Sequence, residues 1–331
     1  MAGVSRTTVS LVLNNVQGIQ ISPETRQKVI QAANELGYVP DATAQALVSR
    51  RTKAIGLVLT RTYHHIATDA FLPKIISGLL TTARQHNVRI LIDWVETQHQ
   101  ESAYFELARA KRIDGMILST PRLNDSAIKA LESADIPTVL MGSVAGSTLP
   151  YVDVDNVQAA EKAVSFLLNL GHREIACISN APPEYTAAPE RVQGFRNALS
   201  KAGIAVNERL ICYADFTPES GYRCMQALLQ SGERFTAAFV ASDNVAIGAK
   251  AALREAGLRI PDDISLMGFD DIPWAMYSDP PLTTIRLPAE ALAQQACNLL
   301  LNLIQEKGSR GNHQVILETE LIVRKSCKAV Q

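Results

Sequence analysis

From residue 54 onward the chain repeats one pattern, short apolar runs separated by longer amphipathic stretches, and this alternation restricts what it can fold into. The runs occupy 54–60, 88–95, 115–119, 137–142, 174–179, 210–214, 237–242 and 264–269. Between them, 70–86, 156–170, 190–202, 219–231 and 244–256 carry apolar residues at the spacing of one-faced helices. Strands alternating with helices of this length predict parallel sheets wound by right-handed crossovers. The runs are rich in Val, Ile and Leu without polar alternation, as expected of strands covered on both faces. Gly171, Gly203 and Gly257 follow three of the helical stretches and predict left-handed helix ends. The units are too many for one ordinary sheet. Two Rossmann-like lobes are expected, dividing near 151–155, with 282–287 and a helix over 289–306 returning to the first lobe and 313–325 crossing again. A ligand cleft belongs beyond the carboxyl ends of such strands.

The first 53 residues break the pattern, with short helical stretches and no strand–helix–strand unit. Six basic side chains stand there against three acidic ones, a bias that a solvated helical appendage would show equally. Over the whole chain 32 Lys and Arg balance 33 Asp and Glu, so net charge decides nothing about nucleic acid. The local pattern says more. Ala2-Gly3 makes a turn and Ser5 is placed to cap a helix. Val4, Val9, Val12 and Leu13 form one apolar stripe, with Arg6, Thr7, Thr8, Ser10 and Leu11 on the other side. A recognition helix divides its faces in this way, with donors near its N-terminus. A second cap follows, Ser22 with Pro23 at the first helical position, and that helix is expected to end at Leu36-Gly37.

The strings AGVSRTTVSLVLN and ISPETRQKVIQAANELGYVPDATAQAL resemble the headpiece of LacI/GalR repressors. The likeness continues in order through Ala54-Ile-Gly-Leu-Val58, Asp155-Asn156, Leu170-Gly-His172, Arg191-x-x-Gly-Phe195 and Ala241-Ser-Asp243-x-x-Ala-x-Gly248. It ends with ISLMGFDD at 264–271, PLTTI at 281–285 and LIVRK at 321–325. One such string would be weak; the ordered set spans nearly the whole chain and is specific. The resemblance implies an α/β, two-lobed, periplasmic-binding-protein-like effector domain, preceded by an all-α helix-turn-helix headpiece and a hinge helix. The expected division is 1–40 for a partial headpiece, 41–52 for the hinge helix and linker, and 53–331 for ligand binding and dimerisation. Within the last, lobe 1 takes about 53–152 and 284–313, and lobe 2 about 153–283 and 314–327.

The function implied is a cytoplasmic, ligand-responsive regulator, a repressor, that binds a palindromic double-stranded DNA operator as a homodimer. It takes a small sugar-like effector, uses no cofactor or metal, and has no membrane partner. Carried over residue by residue, Arg6, Thr7 and Leu11 face bases, and Ser5, Thr8, Ser10 and Asn14 face phosphates. Ala44 permits two hinge helices to approach, Leu47 wedges into the minor groove, and Arg50 and Arg51 reach phosphate. In the cleft, Arg191 and Asp270 match the family's charged pair for polar effectors, with Asp69, Phe71, Ser119 and Phe216 around it. Asp243 either touches the ligand or caps the helix after it. A sugar, a sugar acid or a nucleoside would suit this set. The family's headpiece carries a further helix ahead of the position of Met1, so an upstream natural start is expected, the alternative being a truncated form impaired in DNA binding.

Other features bear on what to exclude. Cys177, Cys212, Cys224, Cys297 and Cys327 are odd in number and widely spaced, so neither disulfides nor zinc is expected, and a reducing compartment is. No signal-peptide stretch or membrane-length apolar run occurs. The stretch 61–70 looks longer than the family's, and its His64-His65 are read as solvated. Adjacent carboxylates at Asp262-Asp263 and Asp270-Asp271 would face opposite ways on a strand, and no nucleotide or zinc-protease motif is present, so no enzyme is expected. A solute-binding protein of the same fold, without DNA binding, is the competing reading.

Overall fold

The computed structural model describes residues 2–13, 18–38, 41, 46, 49, 51–95, 100–305 and 313–330. The chain opens with α1 (Arg6–Leu13) and α2 (Pro23–Glu35). Both start as their sequences dictate. Ser5 Oγ accepts from the Thr8 N–H at 3.1 Å, and Ser22 Oγ from the Thr25 N–H at 3.2 Å, with Pro23 at the first helical position. Val12 and Val29 are the buried residues of the two helices, which pack on each other.

The first lobe follows as β1 (Ala54–Leu59), α3 (Tyr63–Ala67), α4 (Leu72–Gln85), β2 (Arg89–Trp94), α5 (Gln100–Arg109), β3 (Met116–Ser119), α6 (Ser126–Ser133), β4 (Thr138–Met141) and β5 (Tyr151–Val154). The second holds α7 (Asn156–Asn169), β6 (Ile175–Ser179), α8 (Ala187–Lys201), β7 (Ile211–Tyr213), α9 (Pro218–Gln230), β8 (Ala237–Val240), α10 (Asp243–Glu255), β9 (Ser265–Asp270), α11 (Pro273–Tyr277) and β10 (Thr283–Arg286). The chain then returns through α12 (Ala289–Gln305) and β11 (Gln314–Leu317) and ends with β12 (Glu320–Ile322). The first sheet has the order β11-β5-β4-β3-β1-β2 and is parallel throughout. The second, β12-β10-β9-β8-β6-β7, is parallel except where β12 runs against β10.

Central strands such as β3, β4, β6 and β9 are buried along their length, as their unbroken apolar runs require. The rule fails at the edge, where β2 leaves Ile92 and Trp94 exposed. The largest core cluster is continuous between lobes, from Ile55 and Leu79 through Leu167 and Leu300 to Phe239 and Phe269. No helix among the described residues is long and apolar enough to cross a membrane.

Two expectations need correction. The lobe division placed Thr283–Arg286 mostly in the first lobe and Gln314–Leu317 in the second. β10 instead pairs with β9 in the second sheet, and β11 with β5 in the first. The chain changes lobes only between elements, because a change inside a strand would strand its ladder groups without partners. Disulfides were also not expected, yet Cys212 and Cys224 form one, with Cα atoms 5.8 Å apart. α9 packs back against β7, so a strand–loop–helix turn closes a twelve-residue spacing that is no motif in sequence. The cysteine spacing therefore carries no reading of the redox compartment. Cys177, Cys297 and Cys327 are free.

The helices pair closely across each lobe, α4 with α12, α7 with α8 and α9 with α10, and each crossing is made at glycine. A Cβ on Gly78 would be driven into the carbonyl of Glu290, and one on Gly194 into that of Val157. Gly221 and Gly248 do this reciprocally, against the carbonyls of Val245 and Pro218. Backbone cannot yield as a side-chain tip does, so Gly248→Ala is expected to destabilise the protein by roughly 1–3 kcal/mol, as overpacking does. Urea unfolding checks this; an unchanged midpoint would mean that the crossing is looser than described.

Candidate ligand cleft and nucleic-acid interface

The carboxyl ends of both sheets open on one cleft, enclosing about 1070 Å³ of space that reaches solvent. The first lobe contributes Arg61 beyond β1, Ser119 and Thr120 at the end of β3, Asp153 on β5, and Asp69 and Phe71 ahead of α4. The second contributes Asn180 beyond β6, Tyr185, Arg191 on α8, Phe216 beyond β7, Asn244 on α10 and Asp270 at the end of β9. Several non-glycine residues at these strand ends have left-handed backbone: Thr120 at φ +63°, Phe216 at +70°, Asp270 at +118° and Asp271 at +54°. Each such conformation costs about 1–3 kcal/mol and persists where surrounding bonds over-determine it.

Arg191 is the centre of the polar network, at 7% exposure. Its Nε donates to Asn156 Oδ1 at 3.0 Å and its Nη1 to the Ala241 carbonyl at 2.7 Å, with Asp270 Oδ1 3.8 Å away. Its guanidinium also lies over the Phe269 ring, 4.0 Å from the centroid. Burial raises the Asp270 carboxyl above its ordinary range, and Arg191 opposes that rise. Asn156 carries the network onward, its Nδ2 donating to Glu190 Oε2 at 3.0 Å and reaching Asp153 Oδ1 at 3.5 Å. Burial also raises Asp153, which accepts from the N–H groups of Ser143 and Val154, both at 2.8 Å.

The other wall centres on Phe216. Tyr185 meets its ring edge-on with centroids 4.8 Å apart, the Arg61 guanidinium carbon lies 5.0 Å from its centre, and the His65 ring centre 5.6 Å. Asp69 Oδ1 accepts from the N–H groups of Phe71 and Leu72 and so starts α4. The lobes also touch directly. Tyr185 Oη donates to the Thr60 carbonyl at 3.3 Å, the Leu123 N–H to the Glu184 carbonyl at 2.8 Å, and Lys74 Nζ to the Asp271 carbonyl at 2.6 Å.

The structure brings Asp69, Phe71, Ser119, Arg191, Phe216 and Asp270 together on this cleft. Asp243 is a correction. It is 1% exposed, and its carboxylate is taken up by the N–H groups of Phe269 at 2.8 Å and Ile272 at 3.0 Å and the Thr284 hydroxyl at 2.7 Å. It braces the backbone behind the cleft and does not line it. His65 is a second correction, half-buried against Phe216 where a solvated side chain was expected. Asp271 turns away from Asp270 to Arg286 and Arg324, as separate faces predict. Sequence reasoning missed Arg61, Asp153, Asn156, Asn180 and Tyr185. The strand-end rule could have found Arg61 and Asn180, which directly follow the runs 54–60 and 174–179.

On α1, Arg6, Thr7 and Ser10 are exposed, and Leu11 is half-buried. The Ser5 and Thr8 hydroxyls lie 2.9 Å apart in the cap. Asn14, Ala44, Leu47 and Arg50 lie outside the described residues. Arg51 Nη2 donates to the Ile304 carbonyl at 3.0 Å, the last turn of α12, so its guanidinium already serves the linker. The Asp114 carboxylate grips the same linker, accepting from the Thr52 N–H at 2.6 Å and the Lys53 N–H at 2.9 Å.

Residues 1–41 match a family model described as bacterial regulatory proteins, lacI family, and residues 164–327 one described as a periplasmic binding protein-like domain. The chain is similar to the HTH-type transcriptional repressor CytR of Escherichia coli K12, 35% identical over 99% of this chain and 94% of the relative. A transcriptional regulator CelR–cellobiose complex matches with TM-score 0.78 and 33% identity over 98% of this chain and 97% of that one. The Lac repressor dimer bound to operator and the anti-inducer ONPF matches with TM-score 0.85 and 29% identity, covering 99% of this chain and 97% of that one.

Glu190 gives this network a pH signature. Burial, and then the nearby Asp153, push its carboxyl up to about 7 from an ordinary 4.5. The folded state thus keeps a proton that the unfolded chain releases, and this contribution to stability is lost as pH rises from the ordinary value through the raised one. Glu190→Gln keeps the acceptor for Asn156 and removes the titration. Melting temperatures between about pH 5 and pH 8 should fall less steeply for the variant than for the parent. Parallel curves would show that Glu190 titrates normally.

Proposed function

Because the chain belongs to the LacI family of bacterial regulatory proteins, it is a DNA-binding transcriptional regulator, and we propose that a small polar effector in its cleft governs how the first lobes of two paired chains, and hence their two hinge helices, face each other. The observation that carries this reading is the placement of Arg191. Its network spans both lobes, with Asp153 on β5 of the first lobe, Asn156 at the crossover, and Arg191 on α8 and Asp270 on β9 of the second. A ligand that bonds these groups must bias the relative position of the lobes. The operator is a pseudo-palindrome read by Arg6, Thr7 and Leu11 of two chains, with Leu47 as the minor-groove wedge. The protein works as a repressor in the cytoplasm and catalyses no reaction: its relatives are transcriptional regulators, and Arg61 and Arg191 in the cleft each face a carboxylate, Asp69 and Asp270. A solute-binding role is disfavoured by the headpiece match over residues 1–41.

Pairing is assigned to the side of the molecule carrying α4, β2 and α11. Leu80, Ile92 and Trp94 are exposed there, as are Trp274, Met276 and Tyr277, and the Lys74–Asp271 bond ties α4 to the segment ahead of α11. Exposed apolar clusters of this kind mark association surfaces. The double substitution Trp274→Glu with Tyr277→Glu should shift the protein from dimer toward monomer in sedimentation at micromolar concentration. A distribution identical to that of the parent would move the interface elsewhere.

Titration of a promoter fragment followed by fluorescence anisotropy tests the regulator. Affinity should exceed that for random DNA and fall steeply with salt, because phosphate contacts release counterions. An effector found by thermal-shift screening should change that affinity, since coupling requires unequal binding to the two states. Asp270→Asn should keep ligand-free DNA affinity within a few-fold and lose the response. Equal affinity for promoter and random DNA would sink the reading of residues 1–52.

A further inference from the structure

Besides the Arg191–Asp270 pair, the cleft holds a second polar locus, built from one residue of each lobe. Arg61 and Asn180 are each 7% exposed and both flank Phe216. The Arg61 guanidinium lies over that ring, and the Phe216 N–H donates to the Asn180 carbonyl at 2.8 Å. Arg61 Nη2 is held by Asp69 at 2.5 Å, yet Arg61 Nε has no hydrogen-bond partner among the described residues, and neither has Asn180 Oδ1. One is a donor and the other an acceptor, both buried against the wall of a ligand cleft. Buried polar groups are nearly always paired, so this combination points to what the cleft receives.

A hydroxyl can answer either group, because it accepts from an N–H and donates to a carbonyl oxygen. A carboxylate or phosphate would answer Arg61 alone and set its charge against Asn180 Oδ1 and Asp69. The ionic pairing of the cleft argues the same way. Arg61 and Arg191 are the cations among the described lining residues, and each already faces a carboxylate, Asp69 and Asp270, so neither is left over for an anion. We propose, resting on the reading of this cleft as the effector site, that Arg61 and Asn180 form a hydroxyl-specific subsite beside Phe216. The effector is a neutral hydroxylated ring compound, and its acidic or phosphorylated derivatives are rejected. Discrimination arises because a ligand without that hydroxyl leaves Asn180 Oδ1 unpaired, the situation in which sites reject most strongly.

The test uses matched probes on the full chain: glucose against gluconate, cellobiose against cellobionate, and uridine against uridine monophosphate. Thermal shift ranks them and calorimetry near neutral pH measures the best. The expected result is a neutral compound as the strongest binder, with its anionic partner weaker by at least about ten-fold. Asn180→Ala should weaken that binder by a similar factor, its ligand-free melting temperature serving as the folding control. Arg61→Met should do the same, but it leaves Asp69 unpaired, so Asn180→Ala carries the decision. Tighter binding of an anionic member, no binding by any neutral member, or unchanged affinity in Asn180→Ala overturns the proposal. Asp270→Asn separates the two readings. If it loses the ligand while Asn180→Ala keeps it, the effector cleft stands and this subsite falls. If both variants keep the ligand, the cleft assignment itself falls.

Discussion

A guanidinium cannot be neutralised by giving up its proton, so a buried arginine must be satisfied by its surroundings. Arg191 imposes that condition where the two lobes meet. Its Nε donates to Asn156 at the crossover and its Nη1 to the Ala241 carbonyl at the end of β8, with Asp270 and the Phe269 face beside the guanidinium. Removing one partner of such a buried pair typically costs about 3–5 kcal/mol, because the other is left uncompensated. The left-handed backbone at Asp270 persists in the same setting, where its carboxyl faces Arg191 and Asp243 braces the strand from behind. The strained strand ends and the buried ions are one arrangement: each holds the other at the mouth of the cleft.

Much of this was legible in sequence because it follows from periodicity and capping. Apolar runs located the central strands to within a residue or two, and Ser5, Ser22 and Pro23 located the headpiece helices. Those signals are local, so they survive without knowledge of the fold. Strand-end logic also placed Asp270 and Phe216 at the cleft, and the resemblance added Arg191.

What was not legible depends on contacts between distant segments. The Cys212–Cys224 bond needs α9 to fold back on β7. The membership of Thr283–Arg286 and Gln314–Leu317 depends on which sheet edge is free when the chain arrives. Asp243 shows the limit sharply. Its position after a strand fits a ligand contact and a cap on the following helix equally, and the N–H groups of Phe269 and Ile272 and the Thr284 hydroxyl show that it is neither, but a brace between strands. Conversely, the extra length at 61–70 read as a loop with solvated histidines, whereas it forms α3 and brings His65 onto Phe216.

The way in which a cleft could speak to DNA also follows from packing. Asp69 and Phe71 line the cleft and begin α4. α4 crosses α12 at Gly78, where the backbone of Glu290 leaves no room for a Cβ, so the two helices move as a pair or not at all. The far end of α12 holds Arg51 through the Ile304 carbonyl, and Asp114 holds Thr52 and Lys53 beside it. Ligand-induced movement at the start of α4 therefore meets the linker across one stiff, contiguous surface. Contiguity alone is not coupling, which requires two arrangements that ligand and DNA bind unequally. Here the second arrangement has a defined boundary, the direct lobe contacts Tyr185–Thr60, Leu123–Glu184 and Lys74–Asp271, which must break together if the lobes part.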